Sequence, residues 1–255
     1  MNIAVITGAS SGLGVEYLDA IAELYPGLDE IWLVARRKDR LEKLTEKYLS
    51  VKIRPVVLDL SSDDAYLALS DLLEETDPVI SILINNAGIE KTGRFDETEY
   101  SAIKGMINLN VKGMTMVDYA CIPYMKAGSF IIHTCSVSSF APVPSQTVYS
   151  SSKAYMRFFS RSLREEMKKK DINVFMMCPG NMDTEMNPKG QHSQSEMVDN
   201  LPFLDMKVIT RKALKKAQAG KAIYTPGVFY KGYRLLSKIL PSCIMIRITR
   251  KSYQY

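Results

Sequence analysis

The chain has 255 residues, 46% of them hydrophobic and 24% charged, enough to bury a sizeable core in one domain. No run approaches the roughly 18 consecutive apolar residues of a membrane-spanning helix. The formal charge of +5 is uneven: residues 228–255 hold Lys231, Arg234, Lys238, Arg247, Arg250 and Lys251 and no acidic residue, so the remainder is near neutral and lacks the basic stripe of a nucleic-acid-binding body.

In chain order, the opening run Asn2-Ile3-Ala4-Val5-Ile6 predicts a strand where a secreted chain would show a charged segment and an apolar leader. A helix over 12–25 follows, closed by Pro26-Gly27, then a strand over 30–35 and a helix over 38–50. A strand over 52–58 leads to a helix over 63–75, with Ser61 or Ser62 as its cap. Next come a strand over 80–84, helices over 96–108 and 110–126, a strand over 129–134, a helix over 149–169 and a strand over 172–177. After a break, Thr210 is expected to cap a helix over 210–218, and a strand over 221–224 closes the series. Seven strands alternating with helices predict an α/β fold, a Rossmann-type doubly wound parallel sheet between two helical layers, as a single domain over 1–227.

Two stretches interrupt the rhythm. Residues 181–207 are polar and rich in methionine (Met182, Met186, Met197, Met206), are broken by Pro188 and Pro202, and are expected to form a substrate lid. The basic tail, 228–255, begins as an amphipathic helix to Leu240, followed by Pro241 and the apolar Ile244-Met245-Ile246. It is expected to cover a neighbouring subunit or the substrate mouth in preference to a membrane surface.

Strand one runs into Thr7-Gly8-Ala9-Ser10-Ser11-Gly12-Leu13-Gly14 and then a helix. Glycines at that junction let backbone N–H groups approach a diphosphate, and the helix N-terminus favours the anion. The dinucleotide is chosen at the end of strand two, where a carboxylate would bind the ribose hydroxyls of NAD. Here the strand ends in Ala35-Arg36-Arg37, two guanidiniums suited to a phosphate, so NADP(H) is expected, with Arg36 as the leading ligand of the 2′-phosphate and Arg37 in support.

Tyr149 and Lys153 stand four residues apart on one face of the long helix. A free tyrosine titrates near about 10, too high for a base at neutrality. Lowering that by about three units takes roughly 4 kcal/mol of differential stabilisation, which a neighbouring ammonium, a helix N-terminus and an oxidised nicotinamide can together supply.

Thr7 to Gly14, Asn85-Asn86-Ala87-Gly88 after strand four, Asn110 at a helix start, Ser136 thirteen residues before Tyr149, and Pro179-Gly180 after strand six follow one another in a familiar order. Over about residues 1–227 the chain resembles the short-chain dehydrogenase/reductase family. The resemblance implies Tyr149 as general acid/base, Ser136 as hydrogen-bond donor to the reacting oxygen, Lys153 on the nicotinamide ribose and beside the phenol, and Asn110 holding a water in the proton path. It also implies cofactor contacts from Gly8, Ser10, Ser11, Gly12 and Leu13, from Asp59 to the adenine, from Asn86 and Ala87 to the adenosine ribose, and from Pro179, Gly180 and Thr184 to the carboxamide. Asn86 has a second role open to it, bracing the sheet. Ser136 is picked out by spacing among three serines; Ser138 and Ser139 are left as substrate contacts or turn-formers.

Cys121, Cys135, Cys178 and Cys243 form no Cys-x-x-Cys pair, and His133 and His192 lie outside any ligand-like cluster, so no structural metal and a reducing cytoplasm are expected. Cys135 and Cys178 are expected to pack as small apolar groups, and His133 to pack or meet solvent. The flexible methionines, with Met182, Met186 and Ser138 as candidate contacts, suit a bulky lipophilic ketone or alcohol such as a hydroxysteroid or bile acid. The alternatives are a broad small-carbonyl reductase, a non-catalytic NADP(H)-binding regulator, and a nucleotide-sugar epimerase or dehydratase. The family's habit implies a homodimer or homotetramer built through helices 110–126 and 149–169.

Overall fold

In β1 (Asn2–Thr7) successive side chains point to opposite sides: Ala4 and Ile6 enter one apolar layer, Ile3 and Val5 the other. A strand apolar on both faces must be covered on both. The computed structural model, which describes residues 1–48, 51–188 and 201–250, does this with helices on each side of a seven-stranded parallel sheet. The elements are α1 (Leu13–Leu24), β2 (Glu30–Ala35), α2 (Lys38–Lys47), β3 (Lys52–Val57), α3 (Asp63–Thr76) and β4 (Val79–Asn85), then α4 (Tyr100–Ile107), α5 (Met114–Cys121), β5 (Met125–Thr134) and α6 (Thr147–Met167). β6 (Asn173–Met177), α7 (Met206–Gln218), β7 (Ile223–Tyr224), α8 (Val228–Ile239) and α9 (Ser242–Arg250) complete them. Tyr17, Leu18 and Ile21 of α1 and Ala213 and Leu214 of α7 pack on one face; Leu69 and Leu73 of α3, Val117 of α5 and Leu163 of α6 pack on the other.

The strand order is β3-β2-β1-β4-β5-β6-β7, so the connections reverse direction between β1 and β4. At such a reversal the loops leave to opposite sides and open a crevice at the carboxyl ends of the strands. Every loop expected to carry chemistry leaves from that end. This is the Rossmann-type, single-domain α/β fold that the alternation predicts.

Several boundaries differ from the sequence expectation. The two helices expected at 96–108 and 110–126 form one continuous rod, in which α4 passes through a π-helical turn, Asn108–Gly113, into α5. Asn110 therefore lies in mid-rod and not at a helix start, because a wide turn changes the face of a helix without ending it. β5 begins at Met125, four residues before the expected Ser129: Met125 pairs with Ile80, and the register then shifts so that Phe130 meets Ile82. Gly128, at φ +86°, donates to Asp171 O (2.9 Å) within the bulge, and its turn-like neighbours conceal a strand. α7 starts at Met206 and is capped by Asp205, whose Oδ1 accepts from Val208 N (3.1 Å); Thr210, the expected cap, is buried inside the helix and donates to Met206 O (2.8 Å). Ser62 caps α3, accepting from Asp64 N at 3.1 Å. The last residues of the helix expected at 38–50, and Met197 and His192 of the expected lid, lie outside the described residues.

His133 does not meet solvent. It is fully buried on β5, its Nε2 2.7 Å from Asp118 Oδ2 of α5 and its Nδ1 2.6 Å from Ser160 Oγ of α6. Asn85, ending β4, donates to Asp118 Oδ1 at 3.0 Å. This polar cluster joins two strands and two helices inside an apolar layer. Asp118→Ala removes the partner of His133 Nε2 and one of the two acceptors of Asn85 Nδ2, which keeps Met114 O at 2.8 Å, and is expected to lower stability by about 1–3 kcal/mol in urea unfolding; an unchanged midpoint would show that the cluster adds nothing to stability.

Candidate active site

At the end of β1 the chain turns through Gly8, at φ +65°, which donates to Val34 O at 2.9 Å. A side chain at Gly14 would place its Cβ 2.2 Å from Gly8 O, so only glycine lets the first turn of α1 rest on the loop. Thr7 locks this turn to the neighbouring strand: its Oγ1 accepts from Asn86 N (2.9 Å) and Ala87 N (3.0 Å), while Asn86 Nδ2 donates to Thr7 O (3.2 Å). Asn86 thus braces the sheet, and Thr7 is a positioning residue that the motif reading left without a role.

Between the glycine turn and α6 lies a cavity of about 1000 Å³. Its wall includes Gly8, Ser10, Ser11, Gly12, Leu13, Arg36, Arg37, Asp59, Asn86 and Ala87 at one end and Ser136, Ser138, Tyr149, Lys153, Pro179, Gly180, Met182, Thr184 and Met186 at the other. Of the residues expected at a site, Asn110 alone is beneath the wall, with no exposed surface.

At the first end the two arginines make different contacts. Arg37 turns back onto the glycine turn, donating to Ser10 Oγ (2.9 Å from Nη2) and Ser11 Oγ (2.7 Å). Arg36 is exposed, 3.9 Å from Asp59 Oδ2. Asp59 Oδ1 is engaged by Ser61, accepting from its N (3.1 Å) and Oγ (2.8 Å). Glu185 reaches across from the segment after β6 to Arg37 Nη1 (2.7 Å) and to Arg40; these two guanidiniums hold its carboxyl down at about 2. Neither Glu185 nor Arg40 carries a motif that sequence reading could have used.

At the second end Tyr149 sits in the first turn of α6 with its side chain largely buried. Lys153, one turn on, is 4% exposed, donates from Nζ to Thr134 O at 2.9 Å and lies 5.8 Å from the centre of the Tyr149 ring. Burial lowers the Lys153 pKa, and the sulfurs of Cys135 and Cys178 and the Glu90 carboxyl act in the opposite sense. Glu90 is itself raised by burial, with Thr92 and Lys153 opposing; its Oε1 accepts from Thr92 Oγ1 (3.3 Å) and from Gln146. An isolated acid in a loop gives no sequence signal, so Glu90 was missed.

Asn110 clamps the loop that carries Gly88 and Glu90. Its Oδ1 accepts from Ile89 N (2.9 Å), and its Nδ2 donates to Ile89 O (2.8 Å) and Ser152 Oγ (3.2 Å). Ser136 Oγ is 2.7 Å from Ser138 Oγ and accepts from Ser138 N at 3.2 Å, whereas Ser139 Oγ donates back to Ser136 O (2.7 Å) and serves the turn. Cys135 and Cys178 are buried among Met114, Met156 and Met176, and burial pushes the Cys178 thiol far above the usual thiol range.

The tail supplies part of the wall. Phe229, Tyr230 and Tyr233 of α8 and Ile248 and Thr249 of α9 line the cavity. The ring of Tyr230 lies on Gly180, where a Cβ would come within 2.0 Å of it, and its hydroxyl accepts from Asn181 N (3.0 Å) and donates to Pro202 O (2.7 Å). Thr249 Oγ1 donates to Pro142 O at 3.0 Å. The second tail helix, α9, was not foreseen.

Residues 2–195 match the model of the short chain dehydrogenase family. The chain belongs to that family. It is 33% identical over 190 residues to the very-long-chain 3-oxoacyl-CoA reductase of Rattus norvegicus, a match covering 69% of this chain but only 58% of the rat protein. Among solved structures it resembles a short-chain dehydrogenase from Sphingobium yanoikuyae in complex with NADPH (27% identity, TM-score 0.76, covering 94% of this chain and 97% of that one). It also resembles the bulky-bulky ketone specific alcohol dehydrogenase from Comamonas testosteroni (26% identity, TM-score 0.75, covering 94% and 92%). The family and the cavity together make the protein a short-chain oxidoreductase with a site for a nicotinamide cofactor.

Tyr230→Phe keeps the ring on Gly180 but removes the hydroxyl that meets Asn181 N and Pro202 O. It is expected to lower stability by about 0.5–1.5 kcal/mol; an unchanged urea midpoint would show that water replaces the hydroxyl.

Proposed function

We propose that the protein interconverts a carbonyl and a secondary alcohol on a bulky lipophilic substrate, using NADP(H), in a reducing cytoplasmic compartment. One observation carries this reading: a single cavity joins the Arg37-braced glycine turn to Tyr149, Ser136 and the buried Lys153. The cradle suits the cofactor, because bare backbone at Gly8 and Gly12, both on the cavity wall, can meet a diphosphate, and Arg36, Arg37, Ser10 and Ser11 can hold a 2′-phosphate. Asp59 would meet the adenine, Ala87 the ribose, and Pro179, Gly180 and Thr184 the carboxamide.

The nicotinamide, when bound, supplies or accepts the hydride. Tyr149 gives its phenolic proton to the carbonyl oxygen in reduction and removes it from the alcohol in oxidation. Ser136 donates a hydrogen bond to that same oxygen as charge develops on it. Lys153, tethered to Thr134 O, keeps positive charge beside the ring and stabilises the phenolate left behind. Asn110 fixes the loop beneath and positions the water that returns a proton to Lys153.

Met182 and Met186, with Val143, Phe229, Tyr233 and Ile248, make the substrate end adaptable and largely apolar, which supports a ketone with large substituents, hydroxysteroids and bile acids included. The names of the rat and Comamonas proteins, a very-long-chain 3-oxoacyl-CoA reductase and a bulky-bulky ketone specific alcohol dehydrogenase, point the same way. Tyr119 and Phe158, 66% and 69% exposed on α5 and α6, support a homodimer or homotetramer through those helices.

Tyr149→Phe is expected to lower kcat by about 10²–10⁴ while NADPH fluorescence titration stays unchanged; retained turnover would remove Tyr149 from the role of general acid/base. In a panel of steroid, bulky aryl, 3-oxoacyl thioester and small aliphatic ketones, the bulky members should give the highest kcat/KM. A lead for the small ketones would make the protein a broad small-carbonyl reductase.

For the cofactor, Arg37→Ala should weaken NADPH by about 10–100-fold and NADH little, with Arg36→Ala milder. Because Glu185 shares the same guanidinium, Glu185→Gln should tighten NADPH by up to about fivefold and leave NADH unaffected. Equal effects on both cofactors would overturn the 2′-phosphate assignment.

A further inference from the structure

α8 has its apolar stripe on the outside. At about 3.6 residues per turn, Val228, Leu235 and Ile239 fall along one line of the helix, and they are 86%, 59% and 68% exposed. Phe229 and Leu236 border this line and are exposed as well. The opposite side faces the protein: Tyr230 is buried, and Arg234 points inward, 3.4 Å from Thr225 Oγ1 and over the Phe140 ring. α9 continues the pattern, burying Met245 and Thr249 and turning Ile244 and Ile248 outward. A soluble surface helix normally does the reverse, and contiguous exposed apolar groups mark a contact surface.

The charges choose the occupant. Lys231 and Lys238 run along one edge of the α8 stripe, Arg247 and Arg250 are exposed on α9, and residues 228–255 contain no carboxylate side chain. Two copies of this face meeting about a two-fold axis would set these cations against one another with no acid in the tail to pair them. A bilayer with anionic headgroups offers apolar depth to the stripe and negative charge to its edge at once. We infer that the outer face of α8 and α9 is a docking surface for an anionic lipid bilayer. Phe229 and Ile248 belong both to this face and to the cavity wall, so docking sets the cavity mouth against the lipid surface. The inference does not depend on which reaction the site performs.

The test uses the full chain and sedimentation with vesicles of phosphatidylcholine, with or without phosphatidylserine. The protein should pellet with the phosphatidylserine vesicles, stay largely in solution with phosphatidylcholine alone, and be released by salt. Leu235→Glu with Ile239→Glu, and separately Lys231→Glu with Lys238→Glu, should each weaken binding by about tenfold or more, with unfolding temperature and native mass unchanged. No pelleting of the wild type, or undiminished binding by both double variants, would overturn the inference. So would a fall in native mass for the Leu235/Ile239 variant, which would make this face a subunit contact.

Discussion

Lys153 reaches from α6 to the carbonyl of Thr134 at the end of β5, with almost none of its surface in water. Burial works against the ammonium, so every group around it matters: the Thr134 carbonyl that accepts from it and the Glu90 carboxyl that favours its charge. Asn110 is tied to the same place, because it clamps the Ile89 backbone between Gly88 and Glu90. A side chain at Gly88 would come within 3.3 Å of Asn110 Oδ1 and 3.5 Å of Lys153 Nζ, so the two polar groups close over a residue that must stay small. The π-helical turn in the α4–α5 rod holds Asn110 at this spot.

The other end of the cavity depends on the reversal of strand order between β1 and β4. Thr7 joins the two strand ends through a single hydroxyl that accepts from two successive N–H groups, which sets the glycine turn against Asn86 and Ala87. Arg37 then ties Ser10 and Ser11 of that turn to Glu185, a residue 148 positions away in sequence. The proposed cofactor cradle is therefore closed by charge from the segment after β6, and this segment borders both ends of the cavity.

The tail belongs to both the inside and the outside of the molecule. Tyr230 and Thr249 fasten it by hydrogen bonds to Pro202 and Pro142, and in doing so they finish the wall of the cavity. Its remaining surface is apolar with a cationic edge. Among the described residues no helix is long and apolar enough to cross a membrane.

The alternation of apolar runs with amphipathic stretches was legible because burial on both faces of a parallel sheet demands uninterrupted β-branched residues, and because glycines at the first turn have no substitute where helix and loop touch. The strand count, the layer order and the glycine contacts of Gly8 and Gly14 were readable for that local reason, whereas Tyr149 and Lys153 were picked out by the order of the motifs around them. Other features became visible only when distant segments met. The pairing of His133 with Asp118, the part of Glu90 beside Lys153, the preference of Arg37 over Arg36 for the loop serines, the Glu185 contact and the outward apolar face of α8 all involve partners far apart in the chain. A sequence records each residue's periodicity with its neighbours, whereas the charge it meets, and the side it turns to water, are set by which elements the fold packs against it.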